Sequence, residues 1–430
     1  MTTTFVQPTS APHDDGRPPS PVPVPSEVTV LPGQALLAGI ERGSSLRAHR
    51  EQYGALPSLD RAALLADLKQ IGLRGRGGAG FPFVTKVEAL GSGRPVLVVN
   101  MSEGEPASSK DTALALTRPH LVLDGVVTTA RALAAREVHV VLPGERPMAA
   151  AAMRTAMTER DDPVRMLTHT AEPRFVAGQA RAVVELLAGR PNLPRTSWAP
   201  EAVAGHQGRP TLLSNAETWA RIGLVALRGA RDYALLGTPT EAGTTLLTLG
   251  APGAVPVVRE AAYGVRVRDL VPRERHGRPV LVGGFHGSWA TWATVASLRL
   301  SVQRMKAVGA PLGAGVLLSL GADDCPVDLT RRVVRYLAGQ SAGRCGPCFN
   351  GLPALAAAVD AVCVGRGGTR RIEELARLVV RRGACAHPDG TVRLVRSMLG
   401  SFAGEVEAHG AGACRWDSVD APGILEGAVA

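Results

Sequence analysis

Apolar residues recur at helical spacing in Leu64, Leu65, Leu68 and Ile71, which predicts an amphipathic helix from about Asp60 to Gln70. Val96-Leu97-Val98-Val99 is short and wholly apolar, the pattern of a strand buried on both faces. A helix from about Pro119 to Ala135 and a strand from Val138 to Leu142 then complete a strand–helix–strand unit. A helix near Met148 to Met157, a strand near Val164 to Leu167 and a helix from Gly178 to Leu187 continue the alternation. Past about Ala230 the character changes. Thr244 to Leu249 is β-branched and leucine-rich, and Val255 to Val267 alternates loosely among glycines and prolines. From Asp328 onward four helical stripes follow, led by Leu329, Leu352, Ile372 and Leu394.

These patterns divide the chain into an α/β domain over residues 31–235, a small β-rich domain over 240–315 and a bundle of four short helices over 325–415. Residues 1–30, rich in Pro, Thr and Ser, read as a disordered lead-in, and 416–430 as a tail.

Composition narrows the function. At 430 residues and 45% apolar content, two or three domains can each bury a core. No apolar run reaches the roughly 18 to 20 residues that span a bilayer. The first residues lack the apolar segment of a signal peptide. A cytoplasmic location is expected, with no direct membrane insertion and any peripheral membrane contact made through a partner. The net charge of +10 raises the question of nucleic acid, but the basic residues are dispersed and aromatics make up only 4%. That is too sparse for base stacking, so nucleic-acid binding is not expected. Nearly all the basic residues are Arg; the only lysines are Lys69, Lys86, Lys110 and Lys306. Lys86 and Lys110 fall inside the segments below, where a compact ammonium has a use that Arg does not serve.

The six cysteines, Cys325, Cys345, Cys348, Cys363, Cys385 and Cys414, all lie in the last quarter of the chain. They are too few for a disulfide framework, and their clustering favours metal or redox chemistry. Cys325, Cys363 and Cys414 individually read as buried or spare thiols. Cys345-Gly-Pro-Cys348 places two thiolates on one turn, with Cys385 downstream as a further ligand. The loop reads as Cys-x-x-Cys-x-x-Cys with Ala342 in the first position. An iron–sulfur cluster is favoured over a zinc site, which would want a second Cys or His pair, and over a thioredoxin-like redox pair, which needs a preceding strand.

Two further segments carry binding chemistry. Gly72 to Pro82 contains Gly75, Gly77 and Gly80 at G-x-G-x-x-G spacing, but without a strand before it, so the dinucleotide fingerprint does not apply. Its backbone amides, flanked by Arg74, Arg76 and Lys86, suit an anion such as phosphate. Asn100-Met101-Ser102-Glu103-Gly104-Glu105-Pro106 follows the Val96 strand, where polar ligand contacts of α/β sheets gather.

Taken together, Gly72–Pro82, Asn100–Asp111, Gly189–Asn192, Pro210–Thr218 and the cysteine loop resemble the NADH-oxidising flavoprotein subunit family of respiratory complex I. The same family includes the diaphorase subunits of NAD-dependent formate dehydrogenases and hydrogenases. The resemblance covers about residues 60 to 400 in order. It implies an FMN-binding α/β domain, a small β-grasp-like (soluble-ligand-binding β) domain and a C-terminal four-helix iron–sulfur bundle. By position it implies that Gly75, Arg76, Gly77 and Lys86 cradle FMN, with Asn100, Ser102, Glu103, Gly178 and Asn215 around it. Phe81, Lys86 and Glu105 match positions that contact the nicotinamide nucleotide, NADH or NADPH. Cys345, Cys348 and Cys385 would hold a [4Fe-4S] or [3Fe-4S] cluster, with water, His387 or Cys363 available to a fourth iron. The partner it implies is a thioredoxin-like [2Fe-2S] subunit or a ferredoxin, or a membrane electron acceptor.

The departures fall mostly on the nicotinamide side. Ser102 stands where the family has Asp, and Gly178-Gln179-Ala180-Arg181 where it has Gly-Glu-Glu-Thr. Ser197 replaces a lysine, Ala89 an aromatic, Phe349 an arginine and Ala342 the first cysteine. The expected function is an NAD(P)H dehydrogenase-type oxidoreductase passing electrons through FMN to the cluster. The alternatives are a scaffold subunit without NADH oxidation and a flavoprotein fed by reduced ferredoxin.

Overall fold

The computed structural model describes residues 3–6 and 27–416. A four-stranded parallel sheet forms the α/β part, in the order Arg165–Ala171, Glu137–Pro143, Val96–Asn100, Thr211–Asn215. Val96 to Val99 are fully buried because helices cover both faces of this sheet. The strands Val96–Asn100 and Thr211–Asn215 run in register, so their carboxyl ends, Asn100 and Asn215, emerge side by side. The expected helix after Leu59 spans Arg61–Gln70, and the Asp60 carboxylate caps it by accepting from the Ala63 N–H at 2.8 Å.

Among the helices of this part that escape the periodic pattern are Lys110–Thr117 and Ala216–Arg228. The first is buried on every side and the second nearly so, so neither shows a polar stripe. Ala216–Arg228 packs on Pro119–Ala132 backbone to backbone. A Cβ on Gly125 would lie 1.8 Å from the Trp219 carbonyl oxygen, and one on Gly223 2.2 Å from that of Leu121. The buried Trp219 indole N–H donates to the Val98 and Ser214 carbonyls and ties the helix to the sheet.

The β-rich region is larger than the 240–315 segment the sequence suggests. Its seven-stranded sheet runs Thr3–Val6, Glu27–Val30, Val257–Ala262, Thr244–Gly250, Val316–Ser319, Val280–Val282, Ser288–Ala290. Two strands therefore come from within residues 1–30, which corrects the disordered lead-in at those positions. Thr3–Val6 pairs with Glu27–Val30, and the latter lies parallel to Val257 and Val258. The rest of the lead-in, residues 1–2 and 7–26, lies outside the described residues, as does the tail from 417.

The four C-terminal stripes form the helices Pro326–Gly339, Leu352–Cys363, Thr369–Val379 and His387–Ser401. A fifth, Ala403–Gly410, follows after Phe402; it is short and carries no apolar stripe of its own. Among the described residues no helix is long and apolar enough to cross a membrane.

Candidate functional site

The glycine-rich segment folds back on itself. The Gly75 N–H donates to the Phe81 carbonyl at 2.8 Å, and Arg74 bridges to Pro82. Gly78 (φ 99°) and Gly80 (φ 63°) take left-handed conformations that a side chain would strain. A Cβ on Gly78 would meet nothing within 4 Å, and one on Gly77 only the Asn215 side chain, so the loop presents open backbone beside Asn215. Phe81 stands half exposed at its rim. Lys86 reaches the same end of the sheet: its Nζ donates to the Leu213 carbonyl at 2.6 Å and lies 3.6 Å from Glu201. Burial lowers the Lys86 pKa, an effect Glu201 only partly offsets.

Several side chains expected to contact ligand have other commitments in the structure. Arg76 turns inward: its Nε donates to Glu217 at 3.3 Å and its backbone N–H to the Thr218 hydroxyl at 3.0 Å. Its Nη2 is buried without a partner. Glu103, at φ 40°, caps the Lys110–Thr117 helix by accepting from the N–H groups of Asp111 and Thr112, both at 2.9 Å. Burial pushes the Glu103 carboxyl up, but Arg146, Lys110 and these hydrogen bonds hold it below its ordinary value. Glu105 is partly buried and accepts from the Phe285 N–H at 2.8 Å, so its carboxylate clasps the Gly284 turn of the β-rich region. Burial raises its pKa to about 8. Asn215 accepts from the Thr218 hydroxyl and donates to Asp111. Arg76, Glu103 and Glu105 thus each meet protein at the guanidinium or carboxylate.

Beneath the loop lies a buried charge network that the motifs only hinted at. Lys110 Nζ sits 2.7 Å from Asp111 and 3.5 Å from Glu217, which also pairs with Arg76. Burial alone would depress the Lys110 pKa, yet Asp111 and Glu217 outweigh it and keep the ammonium charged. Burial pushes Asp111 up to about 6. Lys110, Asp111, Glu217 and Thr218 all fall within the segments that carry the resemblance; Arg146, which donates to Ser108 and Ser109, lies in none of them.

One short strip of chain joins the flavin-type loops to the cysteines. The Asn100 side-chain amide donates to the Gly178 carbonyl at 2.7 Å, and its oxygen accepts from the Ser102 hydroxyl at 2.6 Å. A Cβ on Gly178 would stand 2.7 Å from that hydroxyl, so Asn100, Ser102 and Gly178 form one compact group. Two residues earlier, Val176 packs on Cys348 and Ala342, with Phe175, Leu193 and Cys345 at the edge. One residue later, Gln179 meets Cys385: burial raises that thiol, Cys348 and Cys345 raise it further, and the Gln179 amide draws it back.

Cys345 and Cys348 lie 3.6 Å apart on a turn that continues through the wide Pro347–Gly351 turn into the Leu352 helix. Ala342 is buried against Cys348, so its methyl group occupies the side of the group where a fourth thiol would stand. Neither suggested substitute is poised to replace it. His387 is fully buried with both ring nitrogens engaged, Nε2 to the Leu337 carbonyl at 2.7 Å and Nδ1 to His286 at 3.0 Å. Cys363 lies at the far end of the Leu352–Cys363 helix, about 15 Å along its axis from the cysteine loop.

A cavity of about 920 Å³ opens elsewhere, between the β-rich sheet and the 268–276 segment, and touches none of these residues.

The sequence matches the family described as the Nuo51 FMN-binding domain over residues 68–224. It also matches the family described as the NADH-ubiquinone oxidoreductase-F iron-sulfur binding region over residues 328–409. It is similar to an NADH-quinone oxidoreductase subunit of Rhizobium meliloti, 27% identical over 409 residues, 88% of this chain and 95% of that protein. The corresponding protein of Mycobacterium tuberculosis, likewise an NADH-quinone oxidoreductase subunit, is 28% identical over 420 residues, 91% of this chain and 94% of its own. That of Escherichia coli is 28% identical over 381 residues, 82% and 86%. Among solved structures, an NAD+-reducing [NiFe]-hydrogenase in the H2-reduced state has the same fold. The TM-score is 0.77 at 24% identity, over 88% of this chain and 67% of that one.

Proposed function

The chain is a divergent member of the NADH-oxidising flavoprotein subunit family of complex I and the NAD-linked diaphorases, and on that footing we propose that it moves electrons from NADH or NADPH through FMN to an iron–sulfur cluster and on to a partner protein. Bound FMN would supply a carrier that accepts electrons in pairs and releases them singly. The observation that carries the reading is the 175–179 strip. Its Gly178 bonds to Asn100 beside the glycine loop, while Val176 and Gln179 touch the cysteines. The two halves of an electron path are therefore separated by a few residues of one segment.

The residues present fit FMN. Gly77 lends open backbone to a phosphate, Gly75 shapes the loop by donating to the Phe81 carbonyl, and Lys86 adds a cation nearby. Arg76 contributes its unpartnered Nη2 and otherwise anchors the loop on Glu217. Asn100, Ser102, Gly178 and Asn215 line the flavin side as hydrogen-bonding groups, while Glu103 acts from behind by holding the Lys110 helix. Phe81 offers an exposed ring for the nicotinamide nucleotide. Glu105 serves that region by fixing the Gly284 turn. Cys345, Cys348 and Cys385 fit three irons of a cluster, with the fourth corner walled by Ala342.

In this reading residues 31–235 bind FMN and NAD(P)H, the β-rich region is β-grasp-like, and the first four C-terminal helices form the iron–sulfur bundle. The partner is a thioredoxin-like [2Fe-2S] subunit or a ferredoxin, with a membrane acceptor beyond it.

An anaerobic absorption spectrum of the purified protein, before and after NADH, tests the proposal. Flavin and cluster absorbance that bleaches on addition supports it. Flavin that ignores NADH and NADPH but bleaches with dithionite transfers the role to another donor, such as a reduced ferredoxin. A protein that binds neither flavin nor iron is a scaffold and overturns it.

A further inference from the structure

Cys325 and Cys414, which the sequence presents as unrelated thiols 89 positions apart, meet in the fold with two residues of the last helix. Cys325 Sγ, Cys414 Sγ, His409 Nε2 and a Glu405 carboxylate oxygen all lie within 4.8 Å of one another. Cys325 Sγ is 3.3 Å from His409 Nε2 and 3.9 Å from Glu405 Oε1, and that oxygen is 3.3 Å from the same His nitrogen. Tetrahedral zinc with sulfur at about 2.3 Å and nitrogen or oxygen at about 2.0 Å needs donor separations of roughly 3.3–3.8 Å. Two of the separations already fall in that range, the third is 3.9 Å, and all lie within 4.8 Å, so a small inward movement would close the shell.

Three features turn the cluster into a built site. Glu405 and His409 sit four residues apart on the Ala403–Gly410 helix and so share one face. The His409 Nδ1 lies 3.1 Å from the Cys363 carbonyl, an interaction that requires the ring proton on Nδ1. Its Nε2 then faces Cys325 and Glu405, the orientation of a ligating nitrogen. Glu405 is 4% exposed, its Oε1 accepts from the Arg415 N–H at 3.1 Å, and its Oε2 is buried with no partner. An unpartnered buried carboxylate oxygen costs free energy that a metal would recover.

We propose that Cys325, Glu405, His409 and Cys414 bind a structural zinc ion, distinct from the iron–sulfur site. Two thiolates, an imidazole and a carboxylate form a donor set suited to zinc, and four protein ligands leave no open position for catalysis. Binding replaces the two thiol protons: Zn²⁺ and two Cys–SH give the dithiolate complex and two H⁺, with no redox change. The complex carries one net negative charge. Cys325 caps the N-terminus of the Pro326–Gly339 helix, accepting from the Asp328 N–H at 3.5 Å, which favours that charge. The ion would clasp the turn after the last described helix onto the start of the first helix of the C-terminal bundle.

The test is metal analysis of the full-length protein purified without chelator, with zinc K-edge absorption spectroscopy on the same sample. The expected result is one zinc per chain in addition to iron, in a shell of two sulfurs and two nitrogen or oxygen atoms. His409→Ala should lose the zinc and keep the iron, whereas Cys348→Ser should do the reverse. Zinc that survives His409→Ala but leaves with Cys348→Ser lies in the cysteine loop and overturns the proposal. So does an all-sulfur shell in the wild-type protein, a readout independent of whether any variant folds. A wild-type protein that takes up no zinc after dialysis against one equivalent also overturns it.

Discussion

The two thiol groups of the C-terminal region are built on opposite plans. Cys345, Cys348 and Cys385 gather around a short turn and a loop, with Cys345 and Cys385 partly exposed and Ala342 filling one side. Cys325 and Cys414 join Glu405 and His409 in a site where three of the four residues are buried and every donor comes from a different sequence neighbourhood or helix turn. The first plan uses soft donors of a single kind next to the 175–179 strip, and it leaves a corner unfilled. The second uses mixed donors and closes completely. An electron-carrying cluster needs proximity to its donor and tolerates an incomplete ligand set. A structural ion needs closure and has no use for proximity.

Disrupting each site separately is the strongest check on that contrast. Cys348→Ser should abolish the cluster absorbance and nearly all iron while zinc stays at one per chain; metal analysis of the variant reads both. Glu217→Gln should be the next largest effect, because it leaves Arg76 buried beneath the glycine loop without its carboxylate and Lys110 with Asp111 alone. A loss of about 3–5 kcal/mol in denaturant unfolding is expected, together with release of flavin and no change in zinc.

Ala342→Cys would make the two plans more alike by filling the open corner. Iron per chain should rise toward four, and the cluster should survive longer in air; unchanged iron and lifetime would mean that another ligand already serves. The flavin midpoint offers a subtler reading. With Gln179 and Ala180 in place of two family carboxylates, the reduced and more negative flavin is less repelled. A redox titration should find a midpoint above that of ordinary family members.

A further effect is expected at Glu105, partly buried and outside both thiol groups. Its folded pKa of about 8 exceeds the ordinary carboxyl value, so the folded state holds a proton that the unfolded state releases. Stability should therefore fall as pH rises from about 5 to 8, by at most about 1.4 kcal/mol per unit, and level off above. Glu105→Gln should flatten that slope in unfolding curves measured across the range. Metal contents should not change.

Much of the framework was legible because it depends on local rules. A fully apolar run such as Val96–Val99 can only be a strand buried on both sides, and Asp60 before an apolar helical stripe marks a helix start. Gly78 and Gly80 occur where the backbone turns left-handed, and Cys345-Gly-Pro-Cys348 brings two sulfurs together through one turn. Elements buried all round, such as Ala216–Arg228, escaped because periodicity records a boundary between water and core, and they have none. The strand at Thr3–Val6 escaped because its partners are Glu27–Val30 and, beyond them, Val257.

Side-chain allegiance lay further out of reach. Whether Glu105 faces a ligand or the Phe285 amide, and whether Arg76 points outward or to Glu217, depends on segments more than a hundred residues away. The same holds for Cys325 and Cys414, which only the packing of the last helix brings within reach of His409. Covalent spacing and the period of burial were enough to set the order of elements, the glycine loop, the paired cysteines and the missing one at Ala342. Which charges neutralise each other, and which thiols share an ion, was settled in three dimensions, by distances that no spacing along the chain encodes.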